Sequence, residues 1–273
     1  MILFPNAKIN AGLYITEKLK DGYHNIETVF LPIALCDALE IVEDNNTVKH
    51  INFSSSGLVI PGKQENNLIV KAYELLRKDF DLPSISVHLH KVIPMGAGMG
   101  GGSSDGAFML KGLNELFSLG LSIENLKDYA SRLGSDCPFF IYNSPAIGRK
   151  KGEDLYPLSI NTSGLYIVTI TPPLFINTAE AFRNITPSPP DIKIEDEISR
   201  PPAEWKYCIR NMFEDYVFAL HPLVRDIKDT LYDKGALYAS LSGSGSTVFG
   251  IFDRSLNLSG IFPENYFVYS GCL

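Results

Sequence analysis

Cysteine is scarce in this chain and nowhere paired. Cys36, Cys137, Cys208 and Cys272 are scattered over 273 residues without a CxxC spacing. That excludes a zinc ribbon and a thioredoxin-type redox site, and it fits buried thiols in a reducing compartment. Positive charge is also short: 24 Lys and Arg stand against 31 Asp and Glu, a formal net charge of −7. A broad basic face for nucleic acid is thereby excluded, and no nucleic-acid partner is expected. No run of apolar residues approaches the roughly 18 needed to span a bilayer, so no membrane partner is expected either. The opening text, MILFPNAKIN, lacks a basic start followed by a long apolar run; the expected location is cytoplasmic. No internal repeat is present, and no Gly-Lys-Ser/Thr of a Walker A loop.

What remains is an ordinary globular composition, 45% hydrophobic and 20% charged. The length suits two domains of about 150 residues, expected at 1–150 and 151–273. A core of this size needs no disulfide or metal staple. Strand-forming text covers Leu35 to Glu43, and 85–93 alternates apolar and polar residues with the period of a half-buried strand. Helical spacing begins at Leu68 behind Asn66 or Asn67 as N-cap. Further helices are predicted from about Ser104 to Phe117, with Phe108, Leu110, Leu113 and Leu116 inward, and from Ser122 to Leu133, stopped by Gly134. In the second half, 165–171 reads as a buried strand, and 211–233 as a helix interrupted by Pro222. Strands are expected at 236–241, 247–252 and 266–270. Residues 186–203, with five prolines and an acidic cluster, are expected to form an exposed, mobile loop.

The densest chemical signal is the run Pro94-Met95-Gly96-Ala97-Gly98-Met99-Gly100-Gly101-Gly102-Ser103-Ser104. Small residues leave its backbone amides uncovered, between a strand and the start of a helix. Several N–H groups and a positive helix terminus then face one place, which suits phosphates. Ser103 and Ser104 add hydroxyls for phosphate oxygens or a Mg²⁺ shell. A bare linker would not be framed by a strand and a helix. A dinucleotide fingerprint would need an acidic strand end about 20 residues on, and a helix is predicted there instead.

Candidate side chains lie around this loop in sequence only. Lys8 sits inside an apolar strand-like segment, where a lysine either snorkels from an edge or has a purpose. Asp136, in GSDCPFF, stands between a helix stop and an apolar run, where it could cap a turn. A Lys–Asp pair beside a phosphate loop would instead serve proton acceptance and charge stabilisation. Asp21 to His24 reads as a turn carrying an aromatic and an imidazole. His88 and His90 share a strand face and read as its polar side rather than a metal site. LSGSGSTVFGIF at 241–252 is a small-residue turn between strands that can approach a ligand closely.

In order, the lysine motif, the glycine loop and the late glycine turn resemble the GHMP kinases. The text AKIN, DGYHNIETVF at 21–30, NNLIVKA at 66–72, GSDCPFF at 134–140 and LSGSGSTVF at 241–249 resembles the branch acting on a cytidyl diphosphate alcohol in non-mevalonate isoprenoid synthesis. The resemblance implies a two-domain α/β (α+β) fold, its N-terminal part like ribosomal protein S5 domain 2 and its C-terminal part ferredoxin-like. It implies transfer of the ATP γ-phosphoryl group, with Mg²⁺, to the 2-hydroxyl of the methylerythritol moiety. Lys8 and Asp136 match catalytic positions, and Pro94 to Ser104 match the ATP loop. Asn10, Tyr23 and His24 match residues around the cytidyl group, and Phe182 an aromatic stacked on cytosine. Asn67 and Lys91 match the border of the adenine pocket. Metal ligands are not assigned. Two departures stand out: Arg149-Lys150-Lys151, whose cations could suit a diphosphate, and Asp105-Gly106, where Asn-Ala is a common form. The rivals are a GHMP kinase for another alcohol, such as homoserine or mevalonate, and a silent nucleotide-binding relative.

Overall fold

A computed structural model describes residues 1–44, 49–258 and 260–273. The chain divides into two compact units that are interleaved rather than consecutive. One comprises Met1–Ala7, Leu35–Met95 and Gly100–Asn143; the other comprises Lys8–Ala34, Gly96–Met99 and Ser144–Leu273. Pairing explains the interleaving: Thr28, Val29 and Phe30 lie opposite Gly148, Ile147 and Ala146, which ties an early strand to the later chain.

The first unit is a four-stranded sheet with helices packed on one another beside it. Its strands lie in the order Ile2–Leu3, Ala38–Glu43, Ile85–Lys91, Ile51–Gly57. The last two are parallel and the other pairs antiparallel. The strand text expected from Leu35 to Glu43 is split, because the long strand His24–Cys36 ends just before Asp37 and Ala38 begins the next. Helix Leu68–Leu76 starts where expected, with Asn67 Oδ1 accepting from Ile69 N at 2.9 Å. Helix Ile123–Leu133 is closed by a capping box between Ser122 and Asn125, and its C-cap is Gly134.

Helix Gly101–Leu116 starts three residues earlier than predicted, inside the glycines. Leu110 and Leu113 are buried as expected; Phe108 and Leu116 are only partly so, and Met109 is the buried neighbour. Gly106 has a packing reason: a Cβ there would stand 2.9 Å from Leu68 Cβ, so the two helices approach closely.

The second unit holds two four-stranded sheets. One runs Asn6–Lys18, His24–Cys36, Ala146–Arg149, Asp154–Pro157; the other runs Tyr238–Leu241, Val248–Phe252, Tyr166–Thr171, Phe267–Cys272, all antiparallel. Helices Phe213–Leu220 and Pro222–Asp233 replace one long helical pattern, broken as predicted by Pro222. Val217, Val224, Ile227 and Leu231 bury their side chains with Val168, Ile170, Leu241 and Val248 in one core.

The expectation for 186–203 is corrected. Ile194–Ile198 and Pro202–Cys208 are helical, and Ile194, Ile198 and Trp205 are fully buried. Proline and acid density concealed two apolar residues spaced i, i+4, which is one helix face.

Candidate active site

The glycine loop takes its shape from left-handed backbone at Gly96, Gly98 and Gly100, with φ of 65°, 83° and 69°. Only glycine adopts such angles without a Cβ penalty. Gly98 has a second requirement: a Cβ there would collide with the Ser242 carbonyl oxygen. Gly100 is the N-cap of the helix that follows, so the first amides of that helix lack intrahelical acceptors. Ser104 is wholly buried, and its hydroxyl has no hydrogen-bond partner.

Around Gly98 the second unit gathers three motifs that are remote in sequence. Lys8 Nζ donates to Asn10 Oδ1 at 2.5 Å and to the Gly98 carbonyl at 3.2 Å. The Ser242 hydroxyl donates to the same carbonyl at 2.9 Å and accepts from Asn10 N at 3.3 Å. Lys8 N donates to the Met99 carbonyl, and Thr247 N to the Ala97 carbonyl. Lys8 also covers the Phe30 ring at 5.2 Å. It is therefore a positioned lysine and not one snorkelling from an edge, being only 3% exposed.

Two supports were not legible in the sequence. Thr28 Oγ1 accepts from Asn10 Nδ2 at 2.9 Å and donates to the Gly12 carbonyl, which fixes the Asn10 amide. Asn211 Nδ2 donates to the Leu241 and Gly243 carbonyls at 2.7 and 2.8 Å, which shapes the serine turn.

Asp136 lies in the first unit as N-cap of helix Cys137–Tyr142. Its side chain makes no hydrogen bond that caps that helix. The neighbouring Cys137 thiol is hydrogen-bonded to Ser103 of the loop, and burial pushes its pKa up to about 12. That thiol is inert.

The substrate-matched residues are placed differently from one another. Tyr23 is 62% exposed, its ring covered by Lys151 Nζ at 4.1 Å. His24 is buried, and desolvation, then the charge of Lys18, lowers its pKa, which favours the neutral ring. Phe182 stacks on His24 at 5.0 Å and turns its edge to Phe213 at 4.9 Å. It is partly buried, packed against the core. Phe175 is another exposed aromatic, at 74%, and its ring lies 3.4 Å from the Cβ position of Gly96.

The extra cations are all used internally. Arg149 pairs with Glu27 and Glu195, Lys150 with Asp154, and Lys151 with Asp21. Asn67 Oδ1 caps a helix, and the Lys91 ammonium is held between Asp37 and Asp105. Burial pushes the Asp105 carboxyl up to about 7 against the pull of Lys91. His88 is bonded to Ser54 and Ser56. Among the described residues no cluster of three His, Cys, Asp or Glu could hold a metal, and no helix is long and apolar enough to cross a membrane.

Two family models match the chain: the GHMP kinases N terminal domain over residues 67–144, and the GHMP kinases C terminal domain over 201–259. The chain belongs to the GHMP kinase family and has its two-domain α/β fold. It is 51% identical to the 4-diphosphocytidyl-2-C-methyl-D-erythritol kinase of Bacteroides thetaiotaomicron, over all of both chains. It is 52% identical to that of Bacteroides fragilis over 98% of each. A crystal structure of 4-(cytidine 5'-diphospho)-2C-methyl-D-erythritol kinase matches with TM-score 0.79 and 30% identity, over 92% of this chain and 89% of its own.

Proposed function

We propose that this GHMP kinase transfers the γ-phosphoryl group of ATP to the 2-hydroxyl of 4-diphosphocytidyl-2-C-methyl-D-erythritol, in the cytoplasm. One observation carries the reading. The Gly98 carbonyl receives both Lys8 and Ser242, so the lysine motif, the glycine loop and the serine turn converge on one atom. Relatives about half identical over the full chain, and named for this substrate, support the choice of alcohol.

Phosphoryl transfer asks the protein for positioning and charge stabilisation more than for covalent chemistry. The open amides of 94–104 and the helix start at Gly101 bind the triphosphate. Mg²⁺ takes few protein oxygens and keeps waters and phosphate oxygens for the rest. The buried, unpartnered Ser104 hydroxyl fits that demand and would hold the ion. When bound, Mg²⁺ neutralises charge on the phosphate oxygens. The substrate hydroxyl oxygen bonds to the γ-phosphorus as the bond from that phosphorus to the ADP oxygen breaks. Asp136 takes the hydroxyl proton, and Lys8 stabilises charge on the moving phosphoryl group. Asn10 holds Lys8 in register. Tyr23, His24 and Phe182 bind the cytidyl group, and the open face of Phe175 adds a further ring surface for the base.

An ADP-release assay with Mg-ATP tests the proposal. ADP is expected with the cytidyl substrate and none with homoserine or mevalonate. No ADP with the cytidyl substrate, or faster turnover of another alcohol, overturns it.

A further inference from the structure

Beneath the ends of the glycine loop lies an ionic bridge that the reaction does not use directly. Lys91, at the end of strand Ile85–Lys91, is 1% exposed. Its Nζ donates to Asp37 Oδ2 at 2.5 Å and to Asp105 Oδ2 at 2.6 Å. The other oxygen of Asp37 accepts from Val92 N at 2.6 Å and Ile93 N at 2.9 Å. Those are the last two residues before the loop. Asp105 stands on the helix that leaves the loop. The ammonium also lies 3.1 Å from the Cβ position of Gly101, so it sits directly under the helix start.

Burying three charged groups is a poor way to gain stability, since desolvation consumes most of the attraction. What such a bridge does well is fix distance and direction. The loop needs that: its glycines at Gly96, Gly98 and Gly100 give it the largest conformational freedom a chain can have. A flexible loop presents its amides to a triphosphate in one geometry only if both ends are held.

The geometry points to Asp105 as a positioning residue for ATP, acting through Lys91 and Asp37 to set the spacing between the strand end and the helix start that carry the phosphate loop. This rests on the reading of 94–104 as the ATP loop. A neutral amide at 105 retains an oxygen that can accept from Lys91, whereas a methyl group does not.

The test compares Asp105→Ala with Asp105→Asn in the full-length enzyme, with KM for ATP and KM for the cytidyl substrate measured separately. For Asp105→Ala, KM for ATP is expected to rise about 10- to 100-fold, the scale of an ångström-sized misplacement. KM for the cytidyl substrate is expected to stay within about twofold, because Tyr23, His24 and Phe175 are not held by the bridge. Asp105→Asn is expected to restore KM for ATP to within about threefold, since it keeps the acceptor. An unchanged KM for ATP in Asp105→Ala overturns the proposal, and so does an equal rise in both KM values. Should Asp105→Ala be insoluble, Asp105→Glu carries the same test: it keeps the carboxyl group, lengthens the arm, and is expected to raise KM for ATP alone. Wild-type enzyme that releases no ADP with the cytidyl substrate would instead remove the kinase reading beneath the proposal.

Discussion

Lys8 and Lys91 are both buried, and they are held in opposite ways. Lys8 is held by an amide oxygen and a backbone carbonyl of the loop. Lys91 is held by two carboxylates. Lysine is among the residues least often buried, so each burial has a local reason. The partners of Lys8 belong to motifs that face the loop's turn, and their removal would alter chemistry. The partners of Lys91 belong to the segments that carry the loop's ends, and their removal would alter the frame.

The comparison breaks most sharply at turnover. Lys8→Met and Asp136→Asn should each lower kcat about 100- to 10,000-fold while ATP still binds. The double variant should lose little more than either single one, as expected for groups acting as a unit. Steady-state ADP release and nucleotide titration check this, and near-normal kcat in Asp136→Asn would remove it from the catalytic role. Lys91→Met should act on the fold instead. Stranding two buried carboxylates costs about 3–5 kcal/mol, visible as a lower urea midpoint, and an unchanged midpoint would show that the bridge is not formed in solution.

Next in size is the pair of phenylalanines. Phe175→Ala should weaken binding of the cytidyl substrate by about 1–3 kcal/mol, the value of one stacked base, with the melting temperature unchanged. Phe182→Ala should lower stability by about 2–4 kcal/mol, through loss of packing. The reverse pattern would leave the stacking role to Phe182 alone. His24 gives a smaller, pH-dependent effect. Its pKa is lowered by burial, so its neutral form is favoured in the fold. That contribution is complete above the ordinary histidine value near 6.5 and is lost as pH falls through the lowered value. KM for the cytidyl substrate should be flat from about pH 7 to 8 and rise only below about 6.5. The smallest effect is expected for Lys151→Met: an exposed pair is heavily screened, so KM should change by less than about threefold.

Much was readable one-dimensionally, and residue by residue one can say why. Asn67 and Ser122 announce helix starts because a cap bonds amides two or three positions away. Pro222 divides a helical pattern because it lacks the N–H of the next turn. The glycine run stands out because the missing side chains are themselves the signal. The apolar face within 186–203 was masked by its prolines and acids, and nothing in the sequence singled out Phe175.

Local chemistry, then, wrote the helix caps and the glycine loop directly into the order of residues, since each depends on neighbours a few positions off. Which lysine meets carboxylates, which phenylalanine stays open to solvent, and where the charge of Arg149 is neutralised depend on partners tens of residues away. Those choices are made by burial, because removing water is what turns a distant oxygen or ring into an obligatory partner.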